Sequence, residues 1–451
     1  MTSRRPEPFD EIARQVSQEK AADFHERWVL GYGHASVAEH AVVHLAVENL
    51  SRLACDTLED NRLASYTEKS SRYQVLPEGS YYFPKELDAH PALGGAYRRL
   101  CDQLFRSYHQ LIEGCTAHLK QVHPRREKER ESAYSLRLSR IATDSCRSIL
   151  PAATLTNVGV TANARMLEHI VSKLLSSELA EERDLGVELR DQGRKITPTL
   201  IKYAEENPYL RKTALRQREL SAKMVSSETG GPGSGSTGLV SARLLDWDTR
   251  AEEKLAAALM YAKSGTDYQT VRQQVEAMDS PQRQRVIDDC TAQLGPHDSP
   301  GREFELVNYT FEFLMDYGAY REFKRHRMLS YLPQALTVAH GHDTPELIVQ
   351  AGLTEMYRAA LESVDQEFQG IAEFSPLVAQ YLVTHAHLRR VLVQINLREC
   401  YHLFKLRTSE LAHFAIREPV LKAMKLVVAV HPQLFRHLRL RDYPAWWPFP
   451  P

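Results

Sequence analysis

Apolar positions recur at helical spacing through most of the chain, and strand-like runs interrupt that rhythm in few places. Near the start, Phe9, Ile12, Ala13, Val16, Ala21, Ala22 and Trp28 form one stripe across residues 8–30. Residues three and four apart share a helix face, so this stripe predicts an amphipathic helix. Val42, Val43, Leu45, Ala46, Leu50, Leu53, Ala54 and Leu58 extend the helical reading over 38–60, although His40 to Glu48 is also compatible with a strand. Further helices are predicted over 93–122, 131–150, 162–180 and 181–206. Beyond these, Leu239 to Asp246 reads as a short strand, with helices following at 248–262, 268–278 and 281–293. Glu305 to Leu314 alternates and is rich in aromatic and β-branched residues, the pattern of a half-buried strand. Long helices are expected over 346–368, 375–388 and 409–427. The tail from Tyr443 to Pro451 carries Pro444, Pro448, Pro450 and Pro451, which a helix interior does not tolerate. It reads as an arm, either packed on a neighbour or disordered. Together these elements predict an α+β fold, helix-rich, with a small antiparallel sheet in each of two modules.

Two modules follow from length and punctuation. A chain of 451 residues exceeds one ordinary domain, and two of roughly 200–250 residues are the natural expectation. The run from Glu228 to Gly238 is almost entirely Gly, Ser, Thr and Pro, a flexible-linker composition. It lacks the Gly-Lys-Ser/Thr ending of a phosphate loop, and no apolar strand precedes it. The expected division is residues 1–225, a linker at 226–238, and residues 239–451.

Composition narrows the function classes. Hydrophobic residues make up 43% of the chain, enough for a core in each half. With 57 basic against 58 acidic residues the net charge is −1. Nucleic-acid backbone binding needs a clustered basic excess, so no nucleic-acid partner is expected. The six cysteines include no C-x-x-C pair, and no zinc site, other metal site or disulfide framework is expected. With no apolar run of membrane length and no leader-like N-terminus, a soluble cytoplasmic protein without membrane association is the expectation.

The candidate chemistry lies in a divided repeat. Arg325-His326-Arg327-Met328-Leu329-Ser330-Tyr331 has a partial copy about 265 residues upstream. That copy runs Asp60-Asn61-Arg62-Leu63-Ala64-Ser65-Tyr66-Thr67-Glu68-Lys69-Ser70-Ser71-Arg72-Tyr73. Both keep Arg-x-x-Ser-Tyr. The downstream copy has the basic Arg-His-Arg lead, and the upstream copy has Glu68, Ser70, Ser71 and Arg72. Superimposed, they rebuild R-H-R-x-x-S-x-x-E-x-S-x-R-Y. This resembles the signature of the flavin-dependent thymidylate synthases, R-H-R-x-x-S-x-N-E-x-S-x-R-Y. The family's Asn is replaced by Thr67 in the first module and Leu332 in the second.

Other segments extend the resemblance. Gly33-His34-Ala35-Ser36-Val37-Ala38-Glu39-His40 is similar to the family's G-H-x-S/T-x-x-E-H segment beside the flavin. In the second module only Phe304 and Glu305 align with it. The family's V-N-A-R stretch matches Ala162-Asn163-Ala164-Arg165 and Ile395-Asn396-Leu397-Arg398. The pyrimidine-contacting arginine nine residues later is Leu174 in the first module and Arg407 in the second. The phosphate-binding arginine sixteen residues before the Asn is Arg147 in the first module and Gln380 in the second. The losses are complementary, as if two fused modules kept one full set of site residues between them.

The resemblance implies a set of roles. Arg407 and Arg325 would be catalytic. Glu68, Ser70, Ser71, Arg72, Arg147 and Glu322 would bind substrate. His34, Ser36, Glu39, Arg325, His326, Arg327, Asn163, Asn396, Arg398 and His402 would bind cofactor. It also implies reductive methylation of dUMP to dTMP at a composite site. FAD would be the hydride carrier, NADPH the reductant and methylenetetrahydrofolate the carbon donor. Self-association to a homodimer, a pseudo-tetramer of modules, is implied as well. The residue types suit this chemistry. Arginine offers bidentate donors to a phosphate dianion, and a guanidinium at a pyrimidine carbonyl stabilises charge developing on the ring. Two alternatives stay open: flavin-dependent modification of another pyrimidine nucleotide, and a non-catalytic nucleotide- or flavin-binding relative. Asn163 and Asn396 could equally cap helices.

Overall fold

The computed structural model of the protein describes residues 6–15, 20, 23, 26–27, 35–227 and 240–450. Its chain divides into two compact units. One comprises residues 1–234 and 347–382, the other 235–346 and 383–451.

In the first unit a three-stranded antiparallel sheet has the order β1-β3-β2, with β1 at Val42–Ser51, β2 at Ser65–Glu68 and β3 at Leu155–Asn163. The helical reading of 38–60 is therefore corrected. Residues 42–51 are strand, and only Arg52–Glu59 are helix. Alternation decides this, because Val43, Val47 and Leu50 point into the core, with a bulge between Val47 and Leu50 where Asn49 takes φ of 59°. The short helix starts where Ser51 Oγ accepts from the Ala54 amide at 2.9 Å. Helices Ala164–Leu175 and Ala180–Ile196 pack Leu167, Ile170, Val171, Leu174, Leu185 and Leu189 against the sheet. Of the predicted first helix, Phe9–Gln15 is present; most of residues 16–30 lie outside the described residues, as does the linker from residue 228.

Among the described residues, the second unit repeats the plan with one more strand. Its sheet has the order β4-β5-β7-β6, with β4 at Ser241–Trp247, β5 at Asn308–Asp316, β6 at Ser330–Pro333 and β7 at Leu388–Asn396. The equivalence of the modules is visible in register and caps. Val42 pairs with Asn163, and Asn308 with Asn396. Ser65 faces Thr161, and Ser330 faces Gln394. Asp316 Oδ1 accepts from the Ala319 amide at 2.7 Å, as Ser51 does in the first unit. The predicted helix over 375–388 is replaced by a short turn of helix at Pro376–Ala379, and strand begins at Leu388.

The segment 347–382 follows the linker in sequence but packs in the first unit. Its helix Thr354–Phe374 buries Tyr357, Leu361, Val364, Phe368 and Ile371. Gly114, on helix Pro91–Val122, allows the approach, because a Cβ there would lie 2.8 Å from Leu353. Tyr357 donates to Ser148 Oγ at 2.9 Å, and the Ala153 amide donates to the Tyr381 carbonyl at 2.8 Å. No helix among the described residues is long and apolar enough to cross a membrane.

Candidate functional site

In the second unit, helix Leu397–Arg407 starts directly after the central strand β7. Asn396 caps it, its Oδ1 accepting from the Glu399 amide at 2.9 Å. This cap fixes the first turn beside the sheet end, where β6 and the Arg325–Met328 turn arrive. Asn396 also donates from Nδ2 to the Met328 carbonyl at 3.4 Å. A cavity of about 310 Å3 opens here, lined by Ser299, Glu305, Arg325, His326, Arg327, Met328, Asn396, Arg398, Glu399 and His402. The structure thus brings together six residues that the sequence assigned to cofactor: Arg325, His326, Arg327, Asn396, Arg398 and His402.

Half-buried and buried contacts organise this wall. Arg398 pairs with Glu305 at 2.8 Å and donates from Nε to the Pro300 carbonyl. His326 is 4% exposed. Its Nδ1 lies 2.8 Å from Glu399 Oε1, and its Nε2 lies 3.1 Å from Arg407 Nε. Burial holds the imidazole below its usual pKa, opposed by Glu399 and reinforced by Arg407 and His402. Arg407 in turn reaches Glu322, with Nη1 at 3.3 Å from Oε2 and Nη2 at 3.4 Å from the backbone carbonyl. His326, Glu399 and His402 offer ligand atoms within 4.8 Å of one another. Both ring nitrogens of His326 already have partners, and Arg325, Arg327 and Arg398 line the same cavity. The charge suits an anion better than a cation.

The first unit shows what has become of the duplicate. Asn163 caps helix Ala164–Leu175, accepting from the Met166 amide at 2.8 Å, so both asparagines are caps. Arg165 pairs with Glu39 at 2.5 Å, the counterpart of Arg398 with Glu305. Asn61 stands where His326 stands; it is 5% exposed and donates to the Leu58 carbonyl at 2.8 Å. Leu174 is buried in the apolar core. Asp60, in the place of Arg325, pairs with Lys173 at 2.7 Å. Ser36 is exposed, in a short 3-10 turn with Glu39, and His34 lies outside the described residues.

The residues assigned to substrate phosphate form a second cluster in that unit. Arg72 makes a bidentate pair with Asp144, Nε to Oδ1 at 2.9 Å and Nη2 to Oδ2 at 2.7 Å. Arg147 lies 3.2 Å from the same carboxylate. Asp144 therefore orients both arginines. Ser70 Oγ accepts from the Arg72 amide at 3.3 Å, and Ser71 is buried. Glu68 is held by Arg52 in a buried ion pair and also accepts from Thr156 Oγ1 at 3.2 Å.

Asp144, Glu399 and Glu181 escaped the sequence reading. Each sits on a helix, where an acidic residue looks like part of a solvated face. Glu181 is buried, accepts from the Ser51 amide at 2.7 Å and from Tyr381 Oη at 2.8 Å, and is pushed up to about 7 by that burial. Only for Glu399 was a cue available, because it is the third residue after a capping Asn.

Residues 1–199 and 243–433 match the family described as "Thymidylate synthase complementing protein", one match on either side of the linker. A protein named "UPF0159 protein" from Chlamydia muridarum is 30% identical over 442 residues, covering 95% of this chain and 83% of that protein. A flavin-dependent thymidylate synthase of Thermococcus onnurineus is 29% identical over 204 residues, covering 44% of this chain and 71% of that one. Among solved structures, a UMP/dUMP methylase from Streptomyces cacaoi bound with 5-Br dUMP shares 14% identity, with a TM-score of 0.35, over 44% of this chain and 93% of its own.

Proposed function

This chain belongs to the thymidylate synthase complementing protein family, and on that footing we propose that it is a flavin-dependent enzyme converting dUMP to dTMP by reductive methylation. The observation that carries the proposal is the unequal fate of the two copies. The second unit keeps a cavity walled by Arg325, His326, Arg327, Arg398 and His402. In the first unit Asp60, Asn61 and Leu174 stand where the second has Arg325, His326 and Arg407, with Asn61 and Leu174 buried in ordinary packing, while Arg62, Arg165 and His169 match Arg327, Arg398 and His402. The first unit instead keeps Arg72 and Arg147 on one carboxylate. Complementary retention of this kind is expected when one set of residues is under selection for chemistry.

The residues fit the implied cofactor. A cavity of about 310 Å3 takes part of a dinucleotide, and its arginines match the charge of a pyrophosphate. Arg325, Arg327 and Arg398 would hold that group, with His402 at the rim. When bound, flavin supplies the hydride, NADPH restores it, and methylenetetrahydrofolate brings the carbon. The chain's own residues bind and orient. Arg72 and Arg147, directed by Asp144, would grip the nucleotide phosphate. Arg407 would stabilise negative charge on the pyrimidine carbonyl. Five of the six cysteines are buried, and none is assigned a nucleophile's role.

The test is direct. The purified protein is titrated with FAD and read by flavin absorbance, then supplied with dUMP, methylenetetrahydrofolate and NADPH. One flavin per chain and formation of dTMP are expected. Flavin binding with methylation of a different pyrimidine nucleotide would move the substrate assignment, a shift to which Thr67 and Leu332 in place of the family's Asn would point. Failure to bind flavin would remove the proposal.

A further inference from the structure

The proposed function uses Arg407 and His326 but leaves Glu399 without a part. Glu399 is 5% exposed, in the first turn of helix Leu397–Arg407. A carboxylate that deep is costly unless it is paired. It lies 2.8 Å from His326 Nδ1. The other ring nitrogen, Nε2, faces Arg407 Nε at 3.1 Å. A guanidinium can only donate, so Nε2 must present its lone pair. In the neutral ring the proton then sits on Nδ1 and is donated to Glu399. Donors thus run in one direction, from Arg407 through His326 to Glu399.

We propose that Glu399 is a positioning residue that acts through the imidazole of His326 to set the direction of the Arg407 guanidinium. The inference rests on the proposed function for what Arg407 does, but not for the arrangement itself. Its independent support lies in the first unit. Matched by register and caps, Glu322, His326, Glu399 and Arg407 correspond to Thr57, Asn61, Met166 and Leu174. All four members were replaced by residues that carry no charge. On the same helices the Arg398–Glu305 pair survives as Arg165–Glu39. Structural drift alone would not remove the four connected residues and spare the adjacent pair. The relay was lost as a unit, as expected if its members serve one purpose.

A consequence concerns acid. The groups facing His326 are Glu399 and His402 on one helix and Arg407 at that helix's end. Arg325 and Arg327 flank it in sequence, Arg398 and Glu305 line the cavity, and Glu322 stands behind Arg407. A proton on Nε2 removes the acceptor and sets two cations against each other, so protonation of His326 breaks its contact with Arg407 and leaves the guanidinium to Glu322. The lowered pKa of the buried ring keeps this from happening near neutrality. The negative charge of Glu399 works the other way, so its main contribution is tautomer and geometry.

Full-length protein labelled with 15N at histidine reads the tautomer directly from long-range 1H–15N correlations, with the His326 signal identified by its loss in His326→Asn. The expected wild type has a protonated Nδ1 and a bare Nε2. Glu399→Gln should keep that tautomer, since the amide oxygen still accepts, while its ring-protonation midpoint falls by about one pH unit. Turnover should stay within about threefold for Glu399→Gln and fall about tenfold or more for Glu399→Leu, whose ring should shift to Nε2–H. A wild type with Nε2–H overturns the inference, as does a folded Glu399→Leu that keeps both the Nδ1–H tautomer and full turnover. If Glu399→Leu does not fold, the wild-type tautomer and the Glu399→Gln midpoint decide. A protein that shows Nδ1–H yet binds no flavin and makes no dTMP leaves the relay standing and removes the proposed function instead.

Discussion

Arg407 Nε meets His326 Nε2 at 3.1 Å, although the two residues are 81 positions apart. The contact joins the end of one helix to the turn before β6, and Glu322 holds the same guanidinium from the other side at 3.3 Å. The duplicated module has Leu174 and Asn61 at these places, both buried and neither able to make the contact. Most of the expected behaviour of mutants follows from this inequality and from the ion pairs that accompany it.

Arg407→Leu, which installs the residue of the first module, should lower turnover by roughly 30- to 1000-fold, the loss of about 2–4 kcal/mol of transition-state stabilisation. Leu174→Met, a volume-conserving change in a closed core, should cost under about 1.5 kcal/mol. Leu174→Arg should not raise flavin stoichiometry above one per chain, because Asp60 and Asn61 still replace Arg325 and His326. Absorbance titration checks this, and two flavins per wild-type chain would end the argument from complementary loss.

Arg72→Ala and Arg325→Ala should each abolish activity, although they belong to different modules. A silent result for either, beside inactivation by the other, would show that the divided set does not act together. Asp144→Asn should weaken the orientation of Arg72 and Arg147 and lower stability by about 1–2 kcal/mol in urea unfolding, a modest figure because the pair is partly solvated.

The Arg52–Glu68 pair is almost wholly buried. Removing one partner leaves an uncompensated charge, so Arg52→Met should destabilise the protein by about 3–5 kcal/mol. The double change Arg52→Met with Glu68→Leu should cost less than Arg52→Met alone. Equal losses in denaturant titrations would indicate that the pair is screened in solution.

Glu181 predicts a pH dependence. Its folded pKa, about 7, lies above the ordinary 4.5 because of burial. The folded state therefore holds a proton that the unfolded state releases between these values. Stability from this group is fully present below about pH 4.5 and is lost as pH rises through 7, by roughly 3 kcal/mol at most. Glu181→Gln should flatten this part of the curve of Tm against pH. Some slope should remain, because burial also raises Glu182.

Self-association is the remaining expectation. A dimer of the chain, four modules in all, should appear in light scattering at micromolar concentration. A strict monomer with full activity would separate this protein from the assembly that its resemblance implies.

The sequence by itself determined the duplication and most helices. These rest on local information, namely residue spacing along a helix and motifs a few residues long. Its misreadings were also local. Residues 42–51 mimic a helical stripe because apolar residues crowd both faces of the strand, and the helix expected over 375–388 stops at Ala379, before a 3-10 turn and the start of β7. Val391, Val393 and Ile395 do alternate, and so do Thr156, Val158, Val160 and Ala162 in β3, but both central strands lie against helix-like stretches that outweighed the shorter signal. Only the tertiary structure decided that 347–382 packs in the first unit, since an apolar helix face does not say which partner covers it. Only the tertiary structure gave Asp144, Glu181 and Glu399 their roles. Their partners lie 72, 130 and 73 residues away, and a carboxylate on a helix becomes a buried hydrogen-bond acceptor only when distant chain closes over it.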